Sequence, residues 1–212
     1  MPSEAVVPTL DGAVLTALAR LTGPVTGRQV HQLAGVGSEA GVRKALTRLV
    51  AQGTVRASQA GSAWLYAVNR EHVAWPAITA LAGLQDLFLS RLRRGLEEWS
   101  LQARSVALFG SAARHDGTVD SDIDLLLVRQ NHTHPDDPVW AEQIAQLKSD
   151  VAAWTGNHAQ VYELDVDELT RHITDGHPIV DEWRRDALTL AGDDLRNLLR
   201  ELGHGPHARS GR

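Results

Sequence analysis

The 212-residue chain contains no cysteine. This absence excludes disulfide bridges, thiolate metal sites and a cysteine nucleophile, and nothing in the composition indicates an oxidising compartment. No stretch approaches the roughly 20 apolar residues that a membrane-spanning helix needs. The first twelve residues also lack the basic and apolar regions of a secretion signal. We therefore expect a cytoplasmic protein with no membrane partner.

Acidic residues are scarce in the first third of the chain. Residues 1–70 hold seven Lys and Arg residues against three acidic residues, whereas residues 71–212 hold 14 against 23, and the total net charge is −5. The length and the 43% hydrophobic content indicate one large or two small globular domains. The uneven charge favours two domains with different partners, and the basic one is a candidate for nucleic acid.

Helix and strand patterns follow a definite order in residues 1–70. Apolar spacing and capping residues predict three helices and then two strands, at 11–21, 27–34, 38–52, 54–58 and 63–68. Three helices followed by a hairpin is the order of a winged helix-turn-helix, whose third helix enters the major groove of DNA. The run GSEAGVRKALTRLVAQGTVR, residues 37–56, resembles the winged-helix regulators of the ArsR-like kind.

That resemblance implies that the first 70 residues bind double-stranded DNA. The contacts would come from the polar face of the third helix and from one wing residue, which are Arg43, Lys44, Thr47, Arg48 and, in the wing, Arg56. The alternative is a solvated helix face on a domain that only mediates protein contacts.

A helical pattern returns in residues 71–100 and is interrupted at Trp75-Pro76. Its apolar residues recur at spacings of three and four and form one stripe, made of Leu81, Leu84, Phe88, Leu92, Leu96 and Trp99. This connecting segment either packs within the chain, between the two domains, or forms the interface of a homodimer. The sequence does not separate these alternatives.

The most informative passage is residues 104–129. The short apolar strand Ser105–Phe109 stops at Gly110-Ser111 and leads into the start of a helix. A strand that turns through Gly-Ser into a helix presents backbone N–H groups that suit a phosphate.

Two carboxylates follow at the start of the next apolar strand. Asp122 and Asp124 are two residues apart, so an extended backbone directs both to the same face. Two such close anions repel each other unless a cation lies between them. Carboxylates that share a cation with phosphates are the usual protein ligands of Mg²⁺.

Together these elements resemble the signature of the nucleotidyltransferase superfamily related to DNA polymerase β. The signature is a hydrophobic residue with Gly-Ser, about ten further residues, and Asp-hydrophobic-Asp-hydrophobic, here Phe109–Ser111, residues 112–121 and Asp122–Leu125. The resemblance implies an α+β fold of the minimal nucleotidyltransferase type, a mixed sheet with flanking helices over residues 101–200. It also implies NTP phosphates at Gly110 and Ser111, and Mg²⁺ at Asp122 and Asp124.

Members of this superfamily that catalyse usually add a third carboxylate on a following strand. Glu163 is the candidate, in the run Tyr162-Glu163-Leu164. A shifted register would put the neutral Gln160 there instead, and Asp165 is a further option. Arg114 either offsets charge on the triphosphate or is a surface arginine.

The rest of the chain predicts helices over 137–154, 166–174 and 179–199, with Trp183, Leu188 and Leu195 in the core and a disordered tail over 203–212. We expect a Mg²⁺-dependent nucleotidyltransferase, with ATP as the expected donor, coupled to a DNA-binding winged helix in a regulator or toxin–antitoxin component. The alternative is a transcriptional regulator whose transferase-like domain only senses nucleotide.

Overall fold

The chain forms two compact units, Met1–Leu87 and Phe88–Arg212. A computed structural model describes residues 5–114 and 121–203. The residues beyond 203, where the disordered tail is predicted, and residues 115–120 lie outside the described part. We call the two parts unit 1 and unit 2.

Unit 1 contains a small antiparallel sheet and the helices that cover it. Its elements in chain order are α1 (Leu10–Ala19), β1 (Val25–Thr26), α2 (Gly27–Ala34), α3 (Glu39–Ala51), β2 (Val55–Ala60), β3 (Ala63–Val68) and α4 (Trp75–Ala82). The sheet order is β1-β3-β2, and both pairs are antiparallel. The predicted helices and both hairpin strands are present, whereas the two-residue β1 was not predicted.

Local capping explains where the helices of unit 1 begin. Thr26 and Gln29 form a reciprocal capping box at α2, and the Ser38 hydroxyl accepts a hydrogen bond from Gly41 N at the start of α3. The apolar stripe of α3 is buried against α1 and the hairpin, and its buried members are Val42, Ala45, Leu46 and Leu49.

Unit 2 is built on a four-stranded mixed sheet. The elements are α5 (Leu84–Glu97), which begins just before the unit boundary, then β4 (Ser105–Phe109), α6 (Gly110–Arg114), β5 (Ile123–Val128), α7 (Pro138–Thr155), β6 (Ala159–Leu164), α8 (Val166–Thr174), α9 (Pro178–Asp186), β7 (Leu188–Gly192) and α10 (Leu195–Gly203). The order is β6-β5-β4-β7, with β5 and β6 parallel and the other pairs antiparallel. This α+β sheet with flanking helices agrees with the predicted fold class.

Helices cover both faces of this sheet, so its central strands are apolar almost throughout. On one face Leu125 and Leu127 pack with residues of α5 and α7. On the other face Leu126 and Val128 pack with residues of α8, α9 and α10. The polar residues of the two central strands are Ser105 at the start of β4 and Asp124 near the start of β5.

The predicted helix over 179–199 is wrong in its middle. The backbone becomes extended at Ala187, and residues 188–192 form β7, which pairs with β4. Trp183 and Leu195 are buried as predicted, but Leu188 is 37% exposed. Pairing with a neighbouring strand overrides the local helical pattern, and a strand at the sheet edge leaves one side open to solvent.

The connecting segment contains two helices: α4 ends just before Gly83, and α5 begins just after it. The boundary between the units falls within α5. Phe88, Leu92 and Leu96 are buried in the core of unit 2. These three side chains therefore pack within the chain, in unit 2. None of the helices in the described part of the chain combines the length and apolar character needed to cross a membrane.

Candidate active site

The Gly-Ser turn and the carboxylate pair meet at one end of the two central strands, where β4 ends and β5 begins. Phe109, the last residue of β4, lies opposite Asp124 in the antiparallel pair. The next residue, Gly110, has a φ of +68°, and a Cβ built there would overlap the carboxylate of Asp124. Only glycine fits because both the left-handed backbone and the close approach exclude a side chain. The partly buried Ser111 follows at the start of α6.

Asp122 and Asp124 flank the buried Ile123. Asp122 is exposed just before β5, and its Oδ2 accepts a hydrogen bond from Gln160 Nε2 at 3.3 Å. Burial is the main cause that raises the pKa of Asp124, followed by the negative charges of Asp122 and Glu182, while Arg114 opposes the shift. The two predicted metal ligands thus repel each other, as the sequence suggested.

The third carboxylate predicted from the sequence is not at this site. In the parallel pair, Gln160 lies opposite Asp124, whereas Glu163 lies opposite Leu127, three residues farther along. The odd spacing also directs Glu163 to the other face of the sheet, towards α7. Glu163 accepts a hydrogen bond from Trp140 Nε1 at 2.8 Å. The strand position nearest Asp124 is therefore neutral.

Glu163 instead belongs to an ion-pair cluster around the buried Arg129 at the far end of β5. Arg129 Nε lies 2.5 Å from Glu163 Oε1, and its Nη2 lies 3.9 Å from Asp165 and 3.7 Å from Glu168. Asp165, the other predicted option, is also the N-cap of α8 and accepts a hydrogen bond from Glu168 N. Both acids therefore have evident structural partners.

Arg114 links the short helix α6 to α9. Its Nη1 lies 2.7 Å from Asp186 Oδ2, and Arg185 pairs with the same carboxylate. Hydrogen bonds from Arg185 and Arg114 lower the pKa of Asp186. Arg114 is thus near enough to Asp124 to affect it electrostatically, but it is held in an ion pair.

Sequence reasoning missed Glu182, an exposed acid on α9 whose charge acts on Asp124. Glu182 lies one helical turn before Asp186, so both residues share the side of α9 that is turned towards α6. No local signal distinguishes Glu182 from other surface acids, because only the packing of α9 brings it near β5.

The donor set fits a cation that is shared with substrate phosphates. Within residues 5–114 and 121–203, no three His, Asp or Glu side chains are grouped so that they could hold a metal ion by themselves. Mg²⁺ commonly takes only one or two protein carboxylates and completes its shell with waters and phosphate oxygens. Asp122 and Asp124 match that pattern.

The predicted DNA-binding side chains lie on unit 1. Arg43, Lys44, Thr47 and Arg48 are exposed on α3. Three of the predicted basic residues form ion pairs with acids of unit 1: Arg43 with Glu39, Arg48 with Asp11 and Arg56 with Glu71.

Residues 89–179 match the family described as the nucleotidyltransferase domain. This part of the chain is therefore similar to a nucleotidyltransferase domain. The matched segment runs from α5 into α9 and includes Gly110, Ser111, Asp122 and Asp124. It covers less than half of the chain, and unit 1 lies outside it. None of the curated proteins compared matches the chain significantly.

Solved structures similar to part of the chain include a toxin–antitoxin crystallised with AMP-PNP and a presumed nucleotidyltransferase from Sulfolobus solfataricus. The match to the toxin–antitoxin structure has 14% sequence identity and a TM-score of 0.34, and it covers 55% of this chain and 81% of that chain. The match to the Sulfolobus solfataricus structure has 20% sequence identity and a TM-score of 0.27, and it covers 50% of this chain and 81% of that chain. Both TM-scores are below 0.5, so neither likeness contributes to the proposals below.

Proposed function

We propose that unit 2 transfers a nucleoside monophosphate from an NTP, with ATP the expected donor, to an acceptor in a Mg²⁺-dependent reaction. The observation that carries the proposal is the close approach of Gly110 to the Asp124 carboxylate, which leaves no room for a Cβ on residue 110. It brings the Gly-Ser turn, to which we assign the phosphates, next to Asp124, to which we assign the cation, where β4 ends and β5 begins.

Each residue of the site has a role in this reaction. The backbone at Gly110 and Ser111 would bind the triphosphate, and Asp122 and Asp124 would hold the cation. When bound, Mg²⁺ would offset the charge on the attacking and leaving oxygens as the acceptor oxygen displaces pyrophosphate from the α-phosphorus. Arg114, held by Asp186, would add positive charge at the same site.

Labelled NTPs, Mg²⁺ and a panel of acceptors test this proposal. The panel includes the protein itself, total RNA and small hydroxyl compounds. We expect transfer by the wild type and a loss of about 10²–10⁴-fold in D122N and D124N, because the metal supplies several kcal/mol of charge stabilisation. E163Q is the matched control and keeps its activity. Equal labelling by D122N and the wild type would contradict the proposal.

The second candidate function is nucleotide sensing without transfer. The observation that favours it is Gln160, an amide that cannot accept the acceptor's proton, at the strand position opposite Asp124. A sensor would bind ATP with Mg²⁺ through both aspartates, and its melting temperature would rise with ATP, yet it would label none of the acceptors.

We propose that unit 1 is a winged helix that binds double-stranded DNA. Together with the transfer reaction of unit 2, this binding would serve a regulator or a toxin–antitoxin component. Support comes from the order of its helices and strands and from the polar face of α3, made of Arg43, Lys44, Thr47 and Arg48. The Arg43–Glu39 pair on this face is exposed, so a phosphate can replace Glu39 at little cost.

A titration against duplex DNA at two salt concentrations tests this role. We expect binding that weakens as the salt concentration rises, because the contacts are made to phosphates. R43Q/K44Q should bind more weakly and with a smaller salt dependence, because phosphate contacts are lost. R94Q/K148Q removes two basic charges from unit 2 and is the matched control. Absence of binding even at low salt would make unit 1 a protein-interaction domain.

A further inference from the structure

A pocket lined mainly by arginines lies between α9 and α10 of unit 2. Its volume is about 400 Å³, and its lining residues are Arg184, Arg196, Leu199, Arg200 and Gly203. A volume of this order suits a small organic ligand of nucleotide size. We call this feature the arginine pocket.

The arginine pocket is distinct from the carboxylate site. Val180 and Trp183 form the buried stripe of α9. Glu182 and Asp186 flank this stripe on the side of α6, whereas Arg184 flanks it on the other side, next to α10. A ligand in this pocket would therefore not occupy the position of the donor NTP.

The charges at the pocket favour an anion. The three arginine side chains are exposed and belong to two helices, and Arg196 and Arg200 are one turn apart on α10. Arg184 Nη1 lies 3.3 Å from Asp181 in an exposed pair, and Arg200 Nη1 donates to Asn197 Oδ1 at 3.1 Å. Such exposed contacts are weak and are readily exchanged for a more highly charged partner.

The arrangement suits a phosphate better than a carboxylate. A phosphate monoester carries close to two negative charges and three strong acceptor oxygens, which several guanidinium groups can share. The pocket is lined by no aromatic side chain in the described part of the chain, so a base would not be held there by stacking. Recognition would depend on the phosphate.

We propose that the arginine pocket binds the phosphate monoester of a nucleotide, either free or at the 5′ end of an RNA strand. The site goes beyond the proposed transfer reaction and does not depend on it, because it uses none of the residues assigned to that reaction.

Fluorescence anisotropy with two labelled RNA decamers tests the proposal, one with a 5′-phosphate and one with a 5′-hydroxyl group. EDTA in the buffer removes divalent metal, so a failure of the transferase site has no effect on the result. We expect the full chain to bind the 5′-phosphorylated strand at least about tenfold more tightly. R196Q/R200Q should lose this preference. R94Q/K148Q, which removes two exposed charges from helices on the opposite face of the sheet, should keep it.

Competitors separate the two sources of the phosphate. Displacement by AMP at low concentration assigns the pocket to free nucleotides, and resistance to AMP assigns it to strand ends. Equal affinity for the two decamers, no binding of either, or an unchanged preference in R196Q/R200Q would overturn the proposal. Displacement by a glutamate-rich peptide that is as effective as displacement by AMP would overturn it too, in favour of an acidic protein partner.

Discussion

Asp124 combines partial burial with two neighbouring negative charges, and its raised pKa follows from both. The carboxyl group holds its proton more tightly in the folded chain than in the unfolded chain. Ionisation therefore costs folding free energy, and this cost grows as the pH rises from the ordinary pKa of an aspartate to the raised pKa and is absent only below the ordinary pKa. A bound cation would reverse this balance because it favours the ionised form.

We predict that the pKa of Asp124, measured by ¹³C NMR without metal, moves down in D122N and in E182Q. Each substitution removes one of the negative charges that raise it. The pKa should rise further in R114Q, because a compensating positive charge is lost. A residual upward shift should remain in D122N, since burial is the largest cause. An Asp124 pKa that is the same in all four proteins would refute this electrostatic account.

Gly110 has two reasons to be glycine, and a matched position separates them. Gly110→Ala imposes a left-handed alanine and an overlap with the Asp124 carboxylate, whereas Gly156→Ala imposes only the backbone strain, with nothing within 4 Å of its Cβ. We expect G156A to cost about 1–2 kcal/mol of unfolding free energy. G110A should cost about 1–3 kcal/mol more and also abolish Mg²⁺–ATP binding. Urea denaturation and calorimetry measure the two effects, and nucleotide binding by G110A at wild-type strength would contradict the proposed site.

Among the elements, β5 contributes to the candidate active site at its start and to a structural ion-pair cluster at its end. Its start carries the partly buried Asp124, next to the exposed Asp122. Its end leads into Arg129, a buried cation surrounded by Glu163, Asp165 and Glu168. A buried charge needs its partners because burial without them is costly. The acids at this end therefore fix the strand and the helices that follow it.

E163Q should lower the stability of the protein by about 1.5–3 kcal/mol, the usual worth of a hydrogen bond to a charged group. The loss is limited because Asp165 and Glu168 remain near Arg129 and the glutamine can still accept from Trp140. Nucleotide transfer per folded molecule should be unchanged. Urea denaturation and transfer assays below the unfolding transition measure both quantities. A variant with normal stability but no transfer would return Glu163 to the catalytic residues.

For the whole molecule, the division into two units changes how the charge is understood. Divided at Leu87, unit 1 holds seven basic and five acidic residues, a net charge of +2, and unit 2 has a net charge of −7. The contrast is smaller than division at residue 70 suggested, because Glu71 and Asp86 belong to unit 1. Every described residue of the candidate active site belongs to unit 2.

Hydrogen exchange can locate ligand binding in the full chain. With ATP and Mg²⁺ we expect slower exchange at the end of β4, in α6 and at the start of β5, because ligand binding stabilises the region that it contacts. D122N/D124N should remove this protection, and E163Q should retain it. Protection confined to unit 1 would place the nucleotide elsewhere.

Much of the fold and half of the site follow from local sequence patterns. The helices of unit 1, the strands β4, β5 and β6, and the helix α7 were predicted from apolar spacing and caps. The pairing of Gly110-Ser111 with Asp122 and Asp124 was predicted from their motif. β7 was missed because its five residues are a strand only when β4 is beside them. Glu163 was misplaced because an error of a few residues in register moves a side chain along the strand and to the opposite face.

By itself, the sequence determined the chemistry that this protein can offer. It lacks cysteine, it places a Gly-Ser turn before a pair of aspartates, and its apolar spacing specifies which surfaces are buried. Only the tertiary structure decided which distant residues join that chemistry. Parallel pairing of β5 with β6 puts the neutral Gln160 opposite Asp124, and the packing of α9 against α6 brings Glu182 and Asp186 to the site. Contacts of this kind depend on register and helix packing, which involve residues far apart in the chain and leave no local pattern.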